Sequence, residues 1–261
     1  MPKTIFNLWF LSDVEGAAST LTSAMQRRGA IVNVVILAAL AAVVVAAAIL
    51  ISSGGGDDET TATATPGATV DQQAEKLFAG IPQKGIRLGD PDAPATLVEI
   101  ADLQCPFCAQ YATGAMPSVV DDYVRTGKLN YELRLRSFLG RDSVRGAGAA
   151  AAAADENKLY EFADAFFRNQ GPENSDYADS AFMRQISAQV PGLDAEKVVA
   201  AADDPLSQPA VEAAERYARD IGSTSTPDFF LRVNGRLTKV EPQGTGPQDY
   251  AEAIDAALAS A

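Results

Sequence analysis

Ala95-Thr96-Leu97-Val98-Glu99-Ile100-Ala101-Asp102-Leu103-Gln104-Cys105-Pro106-Phe107-Cys108 is the stretch on which the reading of this chain turns. Ala95 to Ile100 is a short apolar run of strand length. Helical periodicity follows from Cys105 to about Arg125, and a second strand is expected from Lys128 to Arg136. Together these predict a β-α-β unit of right-handed crossover, with the cysteine pair where strand gives way to helix.

The first sulfur then faces the unpaired N–H groups and partial positive charge of a helix N-terminus, which stabilise a thiolate. A lowered pKa raises the thiolate fraction near neutral pH and makes the sulfur a better leaving group. Cys105 is therefore the expected nucleophile. Cys108, one turn further in, is close enough to close a disulfide and is expected to be the more buried, resolving thiol. Pro106 suits a first helical turn, where its missing N–H had no partner. Phe107 brings no polar handle and no cation, so the pair is expected to be less strongly oxidising than one whose dipeptide contains histidine.

The alternatives are a static disulfide or two buried free thiols. A four-residue loop gives little unfolded-state entropy to a structural staple, which weighs against the first. The two cysteines are the only ones in the chain and histidine is absent, so a metal would need carboxylates or a second chain. No metal and no cofactor is expected.

The rest of the composition narrows the function. At 261 residues the chain accommodates one domain of about 190 residues and an appendage. Lys plus Arg number 21 against 34 Asp plus Glu, with no basic cluster to line a phosphate backbone, so nucleic acid is not an expected partner. Without histidine there is neither a Ser-His-Asp nor a Cys-His nucleophile. Gly127-Lys128 lacks the upstream glycine and the following Ser or Thr of a phosphate loop.

Upstream, Ala30 to Ile51 carries no formal charge. At about 1.5 Å per residue it reaches roughly 33 Å, enough to cross a bilayer core of about 30 Å. Arg27 and Arg28 precede it and Asp57, Asp58 and Glu59 follow, so the N-terminus is expected in the cytoplasm and the remainder outside. A cleaved signal peptide is the competing reading. The run exceeds the usual apolar length of about 7 to 15 residues and lies well inside the chain, which favours an uncleaved single-pass anchor. The expected layout is a cytoplasmic segment 1–29, a transmembrane anchor 30–51, a flexible linker 52–70 and a folded domain 71–261. The linker, rich in Gly, Asp, Thr and Ala, would keep that domain within about 25 Å of the membrane.

Within the domain, a short helix is expected to about Phe78, an extended piece over Gly85 to Leu88 and a turn at Gly89 to Pro94. Helices are expected through Ser143 to Val190, in segments broken at Gly171-Pro172 and then at Pro191-Gly192, with more near Ala195 to Ala202 and from Gln208 to Ile221, an all-helical insertion over about 143–221. Asp228 to Val233, the Asn234-Gly235 turn and Arg236 to Val240 predict a hairpin, covered by a helix from about Pro247 to Ala259. Strand-helix-strand followed by strand-strand-helix is the layout of a thioredoxin core. The fold class is thus α/β, a thioredoxin fold with an all-helical insertion, preceded by one transmembrane helix.

Gly89-Asp90-Pro91, Ala93-Pro94, Leu97-Val98-Glu99 and Asp102 to Cys108 resemble the opening of the DsbA-like thioredoxin-fold proteins of bacterial envelopes. Gly222-Ser223-Thr224-Ser225-Thr226-Pro227-Asp228-Phe229-Phe230 resembles their second signature. The resemblance implies that Thr226-Pro227 is a cis-proline site facing the disulfide, where the Thr226 backbone pairs with an extended substrate and its side chain tunes the redox pair. From the residues alone, an X-Pro bond is ordinarily trans. The resemblance also places Glu99 beneath the disulfide as a buried proton acceptor for the resolving thiol. Strand alternation puts Glu99 on the face of Leu97, where burial would raise its pKa and suit it to proton relay. A solvated strand carboxylate is the other reading of Glu99. Phe107 departs from the best-known members, which leaves the direction of electron flow open.

The expected function is an extracytoplasmic thiol:disulfide oxidoreductase, foremost an oxidase of cysteine-containing exported proteins. The resemblance implies a membrane quinone-linked partner that reoxidises it. A disulfide isomerase or reductase of the envelope uses the same fold with the pair kept reduced. A third reading is a non-catalytic, membrane-tethered peptide-binding or chaperone module that grips polypeptide beside Pro227.

Overall fold

A computed structural model describes residues 76–261 of the chain. The expected segments 1–29, 30–51 and 52–70 lie outside the described residues, as does the start of the expected helix at Asp71. Among the described residues, no helix is long and apolar enough to cross a membrane.

Within these residues, six strands form one sheet in the order β1-β2-β4-β3-β5-β6. They are β1 Gln83–Lys84, β2 Arg87–Leu88, β3 Ala95–Ala101, β4 Asn130–Leu135, β5 Asp228–Val233 and β6 Arg236–Val240. Central β3 runs parallel to β4 and antiparallel to β5. All seven of its residues are buried, because both sheet faces are covered. Leu97, Glu99 and Ala101 point to one face and Val98 and Ile100 to the other. The second face closes on Phe230 and on Ala218 of a helix from the insertion. The first face belongs to the main core and looks toward the cysteine pair.

The expected extended piece over 85–88 is instead a tight hairpin. Gly85 takes φ +57° and reverses the chain between β1 and β2, so that β2 can pair with β4. The single helix expected over 105–125 is also broken. α1 is Pro106–Gly114 and α2 is Met116–Val119, followed by a wider turn over Val120–Val124 that closes with Arg125 N bonding Val120 O. Pro117 is the cause: it has no N–H for the next bond of the ladder, and its ring crowds the preceding turn.

The insertion comprises α3 Arg141–Asp155, α4 Leu159–Arg168, α5 Ser180–Ser187, α6 Ala195–Asp203 and α7 Pro209–Asp220. The break expected at Gly171-Pro172 widens into an eleven-residue loop over 169–179, in which Asn174 and Asp176 take positive φ. α8, Pro247–Ala259, packs near β5 and β6 and adds Tyr250, Ile254 and Ala257 to the main core. The hairpin over 228–240 turns at Asn234-Gly235 with φ of 50° and 80°, as a two-residue loop requires.

The alanine run of α3 lets neighbouring helices approach closely. A Cβ on Gly148 would clash with the Ala201 carbonyl of α6 and sit 2.7 Å from Pro205 Cβ. Both obstacles belong to fixed backbone or a rigid ring. Gly148→Ala is therefore expected to destabilise the protein by about 1–3 kcal/mol despite the better helix propensity of alanine. Urea unfolding checks this, and an unchanged or raised midpoint would contradict the packing.

Candidate active site

β3 ends at Ala101, and the four residues that follow carry the chain to the start of α1. Asp102 fixes that path. Its Oδ1 accepts from Gln104 N at 2.9 Å, and its Oδ2 accepts from Phe138 N and Leu139 N at 3.3 Å each and from the Ser143 hydroxyl. Burial raises its pKa against these bonds. Gln104 reaches Leu139 O at 3.2 Å and accepts from Asn174 N at 2.8 Å. Gln170 donates to Leu103 O at 2.7 Å and to Cys105 O at 3.2 Å. The insertion thus clamps the strand-to-helix turn from outside.

Cys105 caps α1 in extended conformation, φ −71° and ψ 119°, with Pro106 at the first helical position. Both cysteines are free thiols and both are buried, Cys105 4% exposed and Cys108 0%. The Cys105 thiol is pulled down to about 6, first by a hydrogen bond from the Cys108 thiol. The Thr226 side chain and the N–H groups of Cys108 and Phe107 act in the same direction, against burial. When neutral, the thiol donates to the Thr226 carbonyl at 3.3 Å. Cys108 is pushed well up, first by burial, then by its bond to Cys105 and by the charges of Glu99 and Cys105. The two sulfurs are split as nucleophile and resolving thiol require.

The Thr226-Pro227 bond is cis, and both residues are half-buried beside Cys105. Pro106 is exposed, and Phe107 is 65% exposed, more than Phe138 at 44%. The apolar rim beside the sulfur therefore comes from the dipeptide, in which Phe107 was read from the sequence only as lacking a polar handle and a cation.

Glu99 is 2% exposed, on the face of Leu97 as alternation requires, and is not a solvated carboxylate. Burial raises its pKa to about 8, against a 2.6 Å bond from the Tyr131 hydroxyl. The Tyr111 hydroxyl lies 3.0 Å from that of Tyr131. Tyr111 and Tyr131 were missed by sequence reasoning. Tyr111 stands at i+3 from Cys108, on the same face of α1, which was the available signal. Asp102 carried none, since its partner Ser143 lies 41 positions away. The apolar cavity lined by Leu133, Ala150, Ala154, Val211 and Ala214 includes none of these residues. No cluster of metal-ligating side chains occurs among the described residues.

A cysteine pair at a strand-to-helix turn, facing a cis-proline just ahead of β5, defines a thiol-exchange site. The thioredoxin family model matches residues 82–256, and the chain belongs to that family. Among its relatives it is 27% identical over 175 residues to "Probable disulfide bond formation protein D" of Bacillus cereus, covering 66% of this chain and 71% of that one. Among solved structures it resembles oxidised BdbD of Bacillus subtilis, with a TM-score of 0.57 at 19% identity, over 69% of this chain and 97% of the other. α-DsbA1 of Wolbachia pipientis gives a TM-score of 0.56 at 22% identity, over 72% and 96%. The resemblance carried by the two sequence signatures is borne out.

Iodoacetamide reactivity of the reduced full-length protein is expected to rise with pH through a midpoint at about 6. Because the Cys108 thiol is the leading cause, Cys108→Ala should move that midpoint upward toward the ordinary thiol value of about 8.5. A wild-type midpoint already near about 8.5 would contradict the site electrostatics.

Proposed function

We propose that this protein is a membrane-anchored, extracytoplasmic thiol oxidase that introduces disulfides into exported proteins. The observation that carries the reading is the opposed pull on the two sulfurs, Cys105 down to about 6 and Cys108 well up. A thiolate stabilised at Cys105 favours the dithiol over the disulfide, and so makes the disulfide a better oxidant.

In the reaction, a client thiolate attacks Cys105 Sγ and the Cys105–Cys108 bond breaks. Cys108 leaves with the electron pair and takes a proton from Glu99. The client's second thiolate then attacks the client sulfur of the mixed disulfide, and Cys105 departs as a thiolate. Two electrons pass from client to protein. A quinone-linked membrane partner removes them and restores the disulfide. Thr226 and Pro227 present an extended edge to the client, and Phe107 adds apolar contact beside the sulfur.

The location follows from the sequence: an uncharged anchor over 30–51, basic residues before it and acidic ones after it. Clients emerging from the membrane and the reoxidising partner would then lie within reach of one short tether.

One observation favours an isomerase or reductase as the second reading. A Cys105 value of about 6 is closer to the roughly 7 of a reducing thioredoxin than to the roughly 3.5 of the strongest oxidants. The redox form in growing cells separates the two. Acid quenching followed by maleimide labelling is expected to find the pair mostly as disulfide, and Cys105→Ser to leave client disulfides unformed. A pair found mostly as dithiol would favour the reductase or isomerase. An undiminished cellular role in Cys105→Ser would favour a peptide-binding module.

A further inference from the structure

Beneath the cysteine pair, Glu99 has only one of its two oxygens engaged. Oε2 accepts from Tyr131, whereas Oε1 is buried with no hydrogen-bond partner. Leaving a buried carboxyl oxygen unpartnered costs free energy, so this one calls for an explanation. The two tyrosines determine which oxygen is left open. Tyr131 has one hydroxyl proton, and Glu99 takes it, so the bond between the two hydroxyls is completed by the proton of Tyr111. Tyr111 in turn cannot swing away, because its ring packs 4.7 Å from that of Phe229 and 4.6 Å from that of Tyr250. It also lies on α1, the helix that carries Cys108.

We propose that Tyr131, held by Tyr111, is a positioning residue for proton transfer at the resolving thiol: it fixes one oxygen of Glu99 and reserves the other for the Cys108 proton. This rests on the reading that Glu99 exchanges that proton. When the Cys105–Cys108 bond breaks, Cys108 leaves with the electron pair and receives the proton from Oε1, and Tyr131 keeps its bond to Oε2. On the return, the Cys108 thiol gives the proton back to Oε1. Its thiolate attacks Cys105 in the mixed disulfide, and the sulfur of the reoxidising thiol leaves.

The groups that act on the charge of Glu99 come from four elements: Cys105 and Cys108 at the start of α1, Tyr111 further along it, Tyr131 of β4, Tyr160 of α4 and Tyr250 of α8. Tyr131 is the donor among them that favours the carboxylate. Removing its hydroxyl leaves the proton on Glu99 to higher pH.

The test uses the full-length protein with glutathione disulfide-bonded to Cys105, and follows glutathione release by Cys108 across pH. Tyr131→Phe is expected to slow release at pH 7 about tenfold and to move the profile up by about one unit. An infrared titration of the buried carboxyl should move with it, while Cys105 alkylation keeps its midpoint. Tyr111→Phe should act in the same direction with smaller effect, and it carries the test if Tyr131→Phe fails to fold. Glu99→Gln should flatten the profile. If Glu99→Gln flattens it but neither tyrosine variant moves it, the positioning role is overturned and the acid–base role stands. If Glu99→Gln leaves the wild-type profile, both fall together.

Discussion

A thiolate at Cys105 has to be held with almost no water around it, and the site is arranged around that requirement. Burial alone would drive the thiol upward. The opposing stabilisation comes from fixed donors: the Cys108 thiol, the Thr226 side chain and two N–H groups of the first turn of α1. The two N–H groups are held in place by the helix and need not reorganise when charge appears, so they act at full strength in a poorly solvated place. The same arrangement leaves Cys108 with burial and two negative neighbours, which keeps its proton in place until a base is presented.

Those donors have to arrive from parts of the chain more than a hundred positions apart, and the sheet brings them together. β3 delivers Cys105, and antiparallel β5 delivers Thr226 from the adjacent strand, because Ile100 pairs with Asp228. The helical insertion then immobilises the turn between β3 and α1 through Asp102, Gln104 and Gln170. It also covers the second face of the sheet through α7. Its role at the site is to hold backbone in position: it contributes no reacting atom, yet the direction of the α1 N-terminus depends on it.

Much of this was legible in the sequence because it is local. The apolar run at 95–100, the Cys-x-x-Cys, the Asn234-Gly235 turn and the final helix each carry their own signal within a few residues. The cis bond at Thr226-Pro227 came from family resemblance, since nothing in the local residues distinguishes it. The break at Pro117 and the reversal at Gly85 carried local signals that were read too weakly beside the surrounding pattern. What could not be read was long-range. Ser143 finding Asp102, Gln170 finding Leu103 and Tyr131 finding Glu99 depend on packing that no spacing encodes. The two tyrosines were nearest to being legible, since Leu97 pairs with Tyr131 across parallel strands and Tyr111 follows Cys108 by one turn.

The equilibrium reduction potential of Cys105–Cys108, measured on the full-length protein in glutathione buffers and read by thiol alkylation, tests the central claim most directly. If fixed donors hold Cys105 as a thiolate without the further help of a cation in the dipeptide, the potential should lie between about −180 and −120 mV. A value near about −270 mV would mean that the stabilisation is too weak to make an oxidant, and would contradict the account.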